Sequence, residues 1–425
     1  MPKDSTLPAG SAPPRGAPRS RLRGLAQNAL LALLSTAVCL LLVEGAARVA
    51  RHFQRGGKEQ RTRVLYTEYD PLLGWKKTPG ARARYERREF QTDVVINSLG
   101  LRDRERTLLP APGTFRMLAL GDSFVEAFQV AEDEMVTQRL ERSLSGRDCA
   151  LEVINGGSTG YSTDQELLFY REEGRRFEPR VVLLFFYYND VLYNGAARNI
   201  QLPKPLLSFR GGTPVVANYP VPRRPPVPPD ASPAGDVLFA GYSVALDWVG
   251  ERLENADPAA YNRLARFGLW APTSKQALAP EFRVYMKKPP ADVRLGWTMT
   301  GRILGALAQE VWKRDARLLI VYIPGRGEVK DEYWDLARRR HGITDAEWDP
   351  DTVVQRLSAI AVAERIPLLD LTPALRRATR WHSWPYFDFD GHWNALGHRV
   401  AAAEVARALK GQGWLPPCAS RAVPD

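Results

Sequence analysis

The first clear pattern along the chain is an unbroken apolar run from Gly24 to Val43, reading GLAQNALLALLSTAVCLLLV between Arg23 and Glu44. Its 20 residues carry no charge. About 20 apolar residues are what a helix needs to cross the hydrocarbon core of a bilayer, so 24–43 is expected to be a transmembrane anchor. Residues 1–23 are rich in Pro, Gly and Arg without apolar periodicity and are expected to be a disordered basic tail. Residues 44–64 are basic and polar and read as a juxtamembrane stalk. With the mixed pattern that follows they form a lead-in over 44–110, in which VVINSLGLRD reads as a short strand and a Gly turn.

From Phe115 the pattern alternates between strand and helix. Arg116–Leu120 is apolar and ends in GDS, and Glu134–Leu144 fits a helix. Leu151–Ile154 is a short strand and Thr163–Gly174 fits a helix. Val181–Tyr188 (VVLLFFYY) is continuously apolar, as a strand buried on both faces is, and Arg317–Ile323 (RLLIVYI) reads as another buried strand. Gly301–Trp312 and Val353–Glu364 are helical, Ile366–Leu371 is a strand, and Asn394–Leu409 is a helix capped by Asn394. Strands alternating with helices predict a mostly parallel sheet covered on both faces. The pattern breaks between about 195 and 300. There PVPRRPPVPP excludes a central strand or a helix, and residues 202–233 are expected to be extended with little core of their own; helical patterning resumes near Ser243–Leu253. The alternating part is thus a domain over 111–410 with an insertion at about 195–300, and 411–425 is a C-terminal tail.

Composition changes little in this picture. The 425 residues are 44% hydrophobic and 25% charged, which suits a globular domain. The net charge of +11 is spread along the chain and flanks the apolar run, so it reads as basic protein beside anionic lipid, not as a nucleic-acid surface. Five Lys/Arg precede the run and six follow within 20 residues, so flanking charge gives no orientation. The rival to an anchor is a cleaved signal peptide, since AARVA follows the run. Against it stand the length of the run and Arg48 inside the small-residue site. Cys39, Cys149 and Cys418 make no metal spacing; Cys149 and Cys418 are free to bridge in an oxidising compartment.

Ligands of an open α/β sheet sit beyond the carboxyl ends of its strands. Four polar segments fall at such places: GDS (121–123), NGGSTG (155–160), ND (189–190) and DFDGH (388–392). A Ser hydroxyl needs a base to become a nucleophile. Of five His, His52 is juxtamembrane, His341 lies in a charged run, His382 lies in WHSW and His398 lies inside the last helix. His392 stands just before that helix with Asp390 two residues back, close enough to hold one ring nitrogen. Its bland alternative is a packing or capping role. Donors for a developing oxyanion are available at the Ser123 N–H, at Gly157 and at the Asn189 amide. Gly157 could equally serve a tight turn, and Asn189 could cap the strand end. Asp122 reads as structural, shaping its turn by bonds to the backbone.

In these blocks the chain resembles the SGNH/GDSL hydrolases. RMLALGDSF resembles the first block of that family (Ser123), VINGGSTGYST the second (Gly157), YYND the third (Asn189) and DGHWNALGH the last (His392). VVINSLGLRDRE is similar to bacterial members with an N-terminal anchor. The likeness covers roughly 92–190 and 315–410. It implies a three-layer, flavodoxin-like α/β fold and serine-dependent acyl transfer, with Ser123 as nucleophile, His392 as base and Ser123, Gly157 and Asn189 as oxyanion donors. No metal or organic cofactor is implied. Three positions depart from the family. The Asp usual three residues before the His is Phe389, and the DxHW arrangement resembles the alginate O-acetyltransferase-like branch, with Asp390 as orienter and Asp388 as fallback. Tyr187 replaces the Gly two residues before the Asn. Ala127 replaces the Gly four residues after the Ser.

The reading is a membrane-anchored esterase acting on ester-linked acyl groups of envelope polysaccharide or lipid, with its catalytic domain on the non-cytoplasmic side. The alternatives are an O-acyltransferase on a cell-surface polysaccharide, and a non-catalytic glycan-binding or envelope scaffold module. The expected partners are an acyl ester, a glycan and the membrane.

Overall fold

The computed structural model describes residues 18–54, 66–223 and 280–419, apart from residues 88, 147–148, 200–201 and 380–382, together with parts of 243–269. His382 therefore lies outside the described residues, as do residues 1–17, 224–242 and 420–425. The chain forms two units, Met1–Gly56 with Ser232–Lys275, and Gly57–Ala231 with Gln276–Asp425.

In the first unit, helix α1 (Pro18–Gln54) contains the apolar run. Its stretch Gln27–Arg48 is, among the described residues, the one segment long and apolar enough to cross a membrane. The helix continues through residues 44–54, the first half of the expected stalk. No Pro interrupts them, and the Glu44–Arg48 pair, 2.7 Å apart one turn on, supports the extension. Ser243 Oγ and the Ala245 N–H donate to Glu44 Oε2 at 2.7 and 3.1 Å. The helix expected over Ser243–Leu253 is described only in part, with helical residues at 245–246, 249–250 and 252–253.

The second unit opens with two small antiparallel pairs. Strand β1 (Thr67–Asp70) pairs with β2 (Gly74–Lys77), and β3 (Arg82–Glu86) pairs with β4 (Gln91–Val95). The main sheet holds β5 (Phe115–Leu120), β6 (Leu151–Asn155), β7 (Val181–Tyr187), β10 (Arg317–Ile323) and β11 (Leu368–Asp370), all parallel, in the order β11-β10-β7-β5-β6. Counted along the chain this is 2-1-3-4-5, the flavodoxin-like order, in which the chain reverses direction between the first and third strands and leaves a crevice there. Here that crevice lies between β5 and β7.

Alternate residues of the strands face the two layers. Leu118, Leu120, Ile154, Val182, Leu184, Phe186 and Ile320 pack under helices α4 (Thr163–Glu172), α6 (Ala291–Trp312) and α7 (Thr352–Ala363). Met117, Ala119, Val153, Leu183, Phe185 and Val321 pack under α3 (Val136–Leu144) and α8 (Ala395–Gly411). This double coverage explains why β7 and β10 read as apolar without alternation. Each fully buried Val, Leu or Phe is worth about 1.5–3 kcal/mol, so these strands are the core of the domain.

The insertion departs from expectation at both ends. Its first part folds back as a hairpin, β8 (Leu207–Arg210) with β9 (Thr213–Val216), in which Pro214 sits on an edge and gives up no ladder bond. Lys204 is fully buried in an ion pair with Asp164, and Val221 is fully buried with its N–H on the Pro71 carbonyl. Residues 202–221 are thus packed on the domain. At the other end α6 starts at Ala291, after Pro289-Pro290, and buries Val293, Trp297, Ile303, Leu304, Leu307 and Val311. Its first turns, assigned to the insertion by sequence, belong to the core.

Candidate active site

Ser123 begins a single helical turn, α2 (Ser123–Glu126), directly after β5. The first N–H groups of a helix have no intrahelical acceptor, so the Ser123 N–H has none within this turn. Asp122 caps the turn by accepting the Phe124 N–H at 2.9 Å. Burial raises its carboxyl to about 6, against the Phe124 N–H and the nearby His392. That is the structural role read from sequence. The turn closes at Ala127 with φ +58°, a left-handed residue where Gly would be free of the ~1–2 kcal/mol that a Cβ costs. The substitution noted in the sequence therefore falls on a strained position.

His392 lies on the loop Asp388–Trp393 ahead of α8, and the loop is tied down tightly. Tyr386 and Trp393 form an isolated bridge across its base, Trp393 is fully buried, and Asn394 caps α8 by accepting the Leu396 and Gly397 N–H groups at 3.0 and 3.2 Å. Ser123 Oγ and His392 Nε2 are 2.7 Å apart, and His392 Nδ1 is 2.6 Å from Asp390 Oδ1. Asp390 also accepts the Gln129 amide at 3.1 Å. Burial pushes its carboxyl up, but the bond and charge of His392 and the Gln129 amide outweigh it, so Asp390 lies below its ordinary value and stays ionised. Asp388 faces elsewhere: its Oδ1 accepts the Tyr333 hydroxyl at 3.1 Å and its carbonyl accepts Arg326 at 2.6 Å. His398 is fully buried, accepts the Val136 N–H on Nδ1 at 3.2 Å, and is lowered to about 3 by burial and then by Arg102 and Arg139.

Gly157 follows β6, next to β5. A Cβ there would stand 2.5 Å from the Glu126 nitrogen and 2.6 Å from Val125 Cβ, so only Gly lets this loop reach α2. Its N–H donates to Asn155 Oδ1 at 3.0 Å. Asn189 lies two residues past the end of β7, on the other side of β5. Its side chain makes no capping bond to the helix it precedes, α5 (Asp190–Tyr193), and its Oδ1 has no partner among the described residues. Asn189 therefore does not serve as a side-chain cap of α5.

Residues 285–422 match the family model described as the SGNH hydrolase-like domain of the acetyltransferase AlgX. This part of the chain is SGNH hydrolase-like. The matched stretch of the SGNH-like domain contains His392 and Asp390, whereas Ser123, Gly157 and Asn189 precede it. No curated protein matches the chain. Solved structures similar to it include TesA (12% identity, 70% of this chain and 98% of that one, TM-score 0.36). A lipase/acylhydrolase from Enterococcus faecalis is 13% identical over 71% of this chain and 98% of its own, TM-score 0.34. A catalytic mutant of Axe2, an acetylxylan esterase from Geobacillus stearothermophilus, is 12% identical over 71% of this chain and 96% of its own, TM-score 0.37. Likenesses this remote carry no argument about substrate.

Beside His392 lies a cleft of about 370 Å³ lined by Phe124, Tyr187, Tyr188, Tyr285, Tyr333 and Trp334, together with Arg326 and Glu328. Glu328 accepts the Tyr285 and Tyr322 hydroxyls and the Gly325 N–H at 2.5–2.6 Å. Burial raises it to about 7 against those three bonds. Tyr187, the second departure from the family pattern, is thus a wall of this cleft.

Sequence reasoning missed three supports of the site. Glu89, in the turn between β3 and β4, accepts the N–H groups of Asp388, Phe389 and Asp390 at 2.6, 2.9 and 2.8 Å. Gln129 braces Asp390. Lys77 reaches the Gly157 carbonyl. Each sits in a stretch with no motif, and only the preference of a carboxylate for several adjacent N–H groups could have hinted at Glu89.

Proposed function

We propose that the chain is a serine-dependent acyl-transfer enzyme with Ser123 as nucleophile, His392 as base and Asp390 as the residue that orients His392. The observation that carries this reading is the unbroken chain Ser123 Oγ–His392 Nε2–His392 Nδ1–Asp390 Oδ1, with contacts of 2.7 and 2.6 Å. Nε2 receives the Ser123 proton as Oγ attacks an ester carbonyl, and the ionised Asp390 stabilises the imidazolium. The proton then passes from Nε2 to the departing alcohol oxygen. Water or a sugar hydroxyl takes the acyl group in the second half-reaction. The Ser123 N–H, the Asn189 amide and the Gly157 N–H are the oxyanion donors; Gly157 must share or exchange its bond to Asn155 to serve. The test is acetate release from an aryl acetate by the whole protein in detergent. No turnover above buffer, with the protein folded, would favour the binding-module reading.

Transfer to a glycan is the second reading. It is favoured by the aromatic cleft beside His392, since such rings stack on sugar faces, and by the acetyltransferase in the matching family model. Incubation with acylated glycans, read by mass spectrometry, separates transfer from hydrolysis: an acylated acceptor must appear, not free acid alone.

Asn189→Ala is expected to lower kcat on the order of 100- to 1,000-fold with little change in KM, the usual cost of one oxyanion donor. A loss below tenfold would remove Asn189 from the site.

The membrane reading assigns α1 as an uncleaved anchor with the catalytic unit on the non-cytoplasmic side. The Cys149–Cys418 disulfide supports that side, because disulfides persist in oxidising compartments. The full chain should appear in the membrane fraction. A C-terminal phosphatase-type reporter should be active and a cytoplasmic one silent; the reverse pattern would invert the assignment.

A further inference from the structure

Lys77 ends β2 in the lead-in, outside every motif, yet its side chain is buried against the loop that carries Gly157. Its ammonium donates to the Gly157 carbonyl oxygen at 2.6 Å. Among the described residues no carboxylate is in ion-pair contact with it. A buried ammonium resting on a neutral carbonyl is costly, and this one is spent on the peptide next to the nucleophile.

That peptide is gripped at both ends. The Gly157 carbonyl takes Lys77, and the Ser158 N–H donates to the Gly121 carbonyl at 3.0 Å, two residues ahead of Ser123. One residue on, the Thr159 N–H donates to Glu126 Oε2 at 2.6 Å, and the other oxygen of Glu126 takes the Tyr66 hydroxyl. The N-terminal strand pair therefore fixes the loop from two sides, one of them through the Lys77 amine. A cation in a water-poor site lowers the energy of a nearby developing oxyanion far more than it would in solvent.

We propose that Lys77 is a positioning residue for acyl transfer: its ammonium holds the Gly157 peptide against α2 and adds a fixed positive field at the oxyanion site. This rests on the reading of Ser123 as nucleophile. A neutral donor could hold the carbonyl; the charge is what distinguishes the proposal from a packing role.

The charge is also titratable. Burial pushes Lys77 below its ordinary value, Glu126 and Glu173 pull it back up, and Arg102 adds to the lowering; Tyr66 and Tyr85 complete the polar groups on that side. The protonated form is the working one. Activity is therefore retained on the acid side of the lowered value and lost as pH rises through it, which puts an alkaline limb on kcat below the usual lysine range of about 10.4.

The test is kcat and KM for aryl acetate hydrolysis between pH 6 and pH 10, on the full-length protein in detergent, for wild type, Lys77→Met, Lys77→Arg and Ser123→Ala, with circular dichroism at each pH. Lys77→Met should lose about 10- to 100-fold in kcat, KM should stay within about threefold, and the alkaline limb should vanish. Lys77→Arg should keep most of kcat and move the limb upward, since guanidinium stays charged. The proposal is overturned if Lys77→Met keeps kcat within twofold and the wild-type limb, or if Met and Arg variants fall equally with one pH profile. Should Lys77→Met not fold, the limb decides between wild type and Lys77→Arg, and an unmoved limb overturns it. Ser123→Ala separates the two readings. If it is dead while Lys77→Met is normal, the Lys77 proposal alone fails; if it still turns over, the nucleophile is wrong and the Lys77 proposal falls with it.

Discussion

Ser123→Ala and His392→Ala should each cost on the order of 10⁴- to 10⁶-fold in kcat for aryl acetate hydrolysis, with the fold intact. The two groups share one proton at 2.7 Å, so neither is useful without the other. The double variant should then be little worse than either single one, since residues acting as a unit are grossly non-additive. Ser123 is buried at the start of a single turn and His392 is half-buried beside Phe124, so truncating either side chain removes few packing contacts. Circular dichroism and melting temperature should stay near wild type. Additive losses, or activity surviving Ser123→Ala, would break the assignment. His398→Ala is a useful contrast: that ring packs on Trp393 and accepts the Val136 N–H, so it should lower stability more than kcat.

The second large effect is expected at the carboxylate. Asp390→Asn should lower kcat on the order of 10³- to 10⁴-fold, less than loss of the base, because the imidazole stays in place with its tautomer no longer fixed. Asp388→Asn should be near wild type, since Asp388 faces Tyr333 and solvent, not His392. Comparing kcat of the two variants decides between the carboxylates, and a crippled Asp388→Asn with a normal Asp390→Asn would reverse the choice. The spacing makes this test informative: Phe389 occupies the place where an Asp usually stands, and the loop delivers Asp390 to Nδ1 at 2.6 Å instead.

The main sheet was legible because β7 is apolar at every position and β10 at every position after Arg317, a pattern that only double coverage explains. The polar residues at the ends of β5, β6 and β7 were legible because a buried strand that stops in GDS, NGGS or ND must place those groups at its carboxyl end. Other features depended on contacts remote in sequence. Residues 202–233 look like a linker because they carry PVPRRPPVPP, yet Lys204 finds Asp164 about 40 positions earlier and is buried with it. The lead-in looks like a stalk because its strands are only four or five residues long, too short to show a period. Glu89 lies about 300 positions from the loop it grips, a distance that no local pattern spans.

The disulfide between Cys149 and Cys418, separated by 269 positions, turns most of the domain into one covalent ring. Gly157, Asn189, Asp390 and His392 lie inside that ring, and Ser123 lies just outside it. A protease that nicks the chain once anywhere between Cys149 and His392, the Pro-rich stretch included, opens the ring without parting the molecule. The piece bearing Ser123 and the piece bearing His392 remain tethered until a reductant reaches the sulfurs. A single such cut then leaves Ser123 and His392 on one molecule.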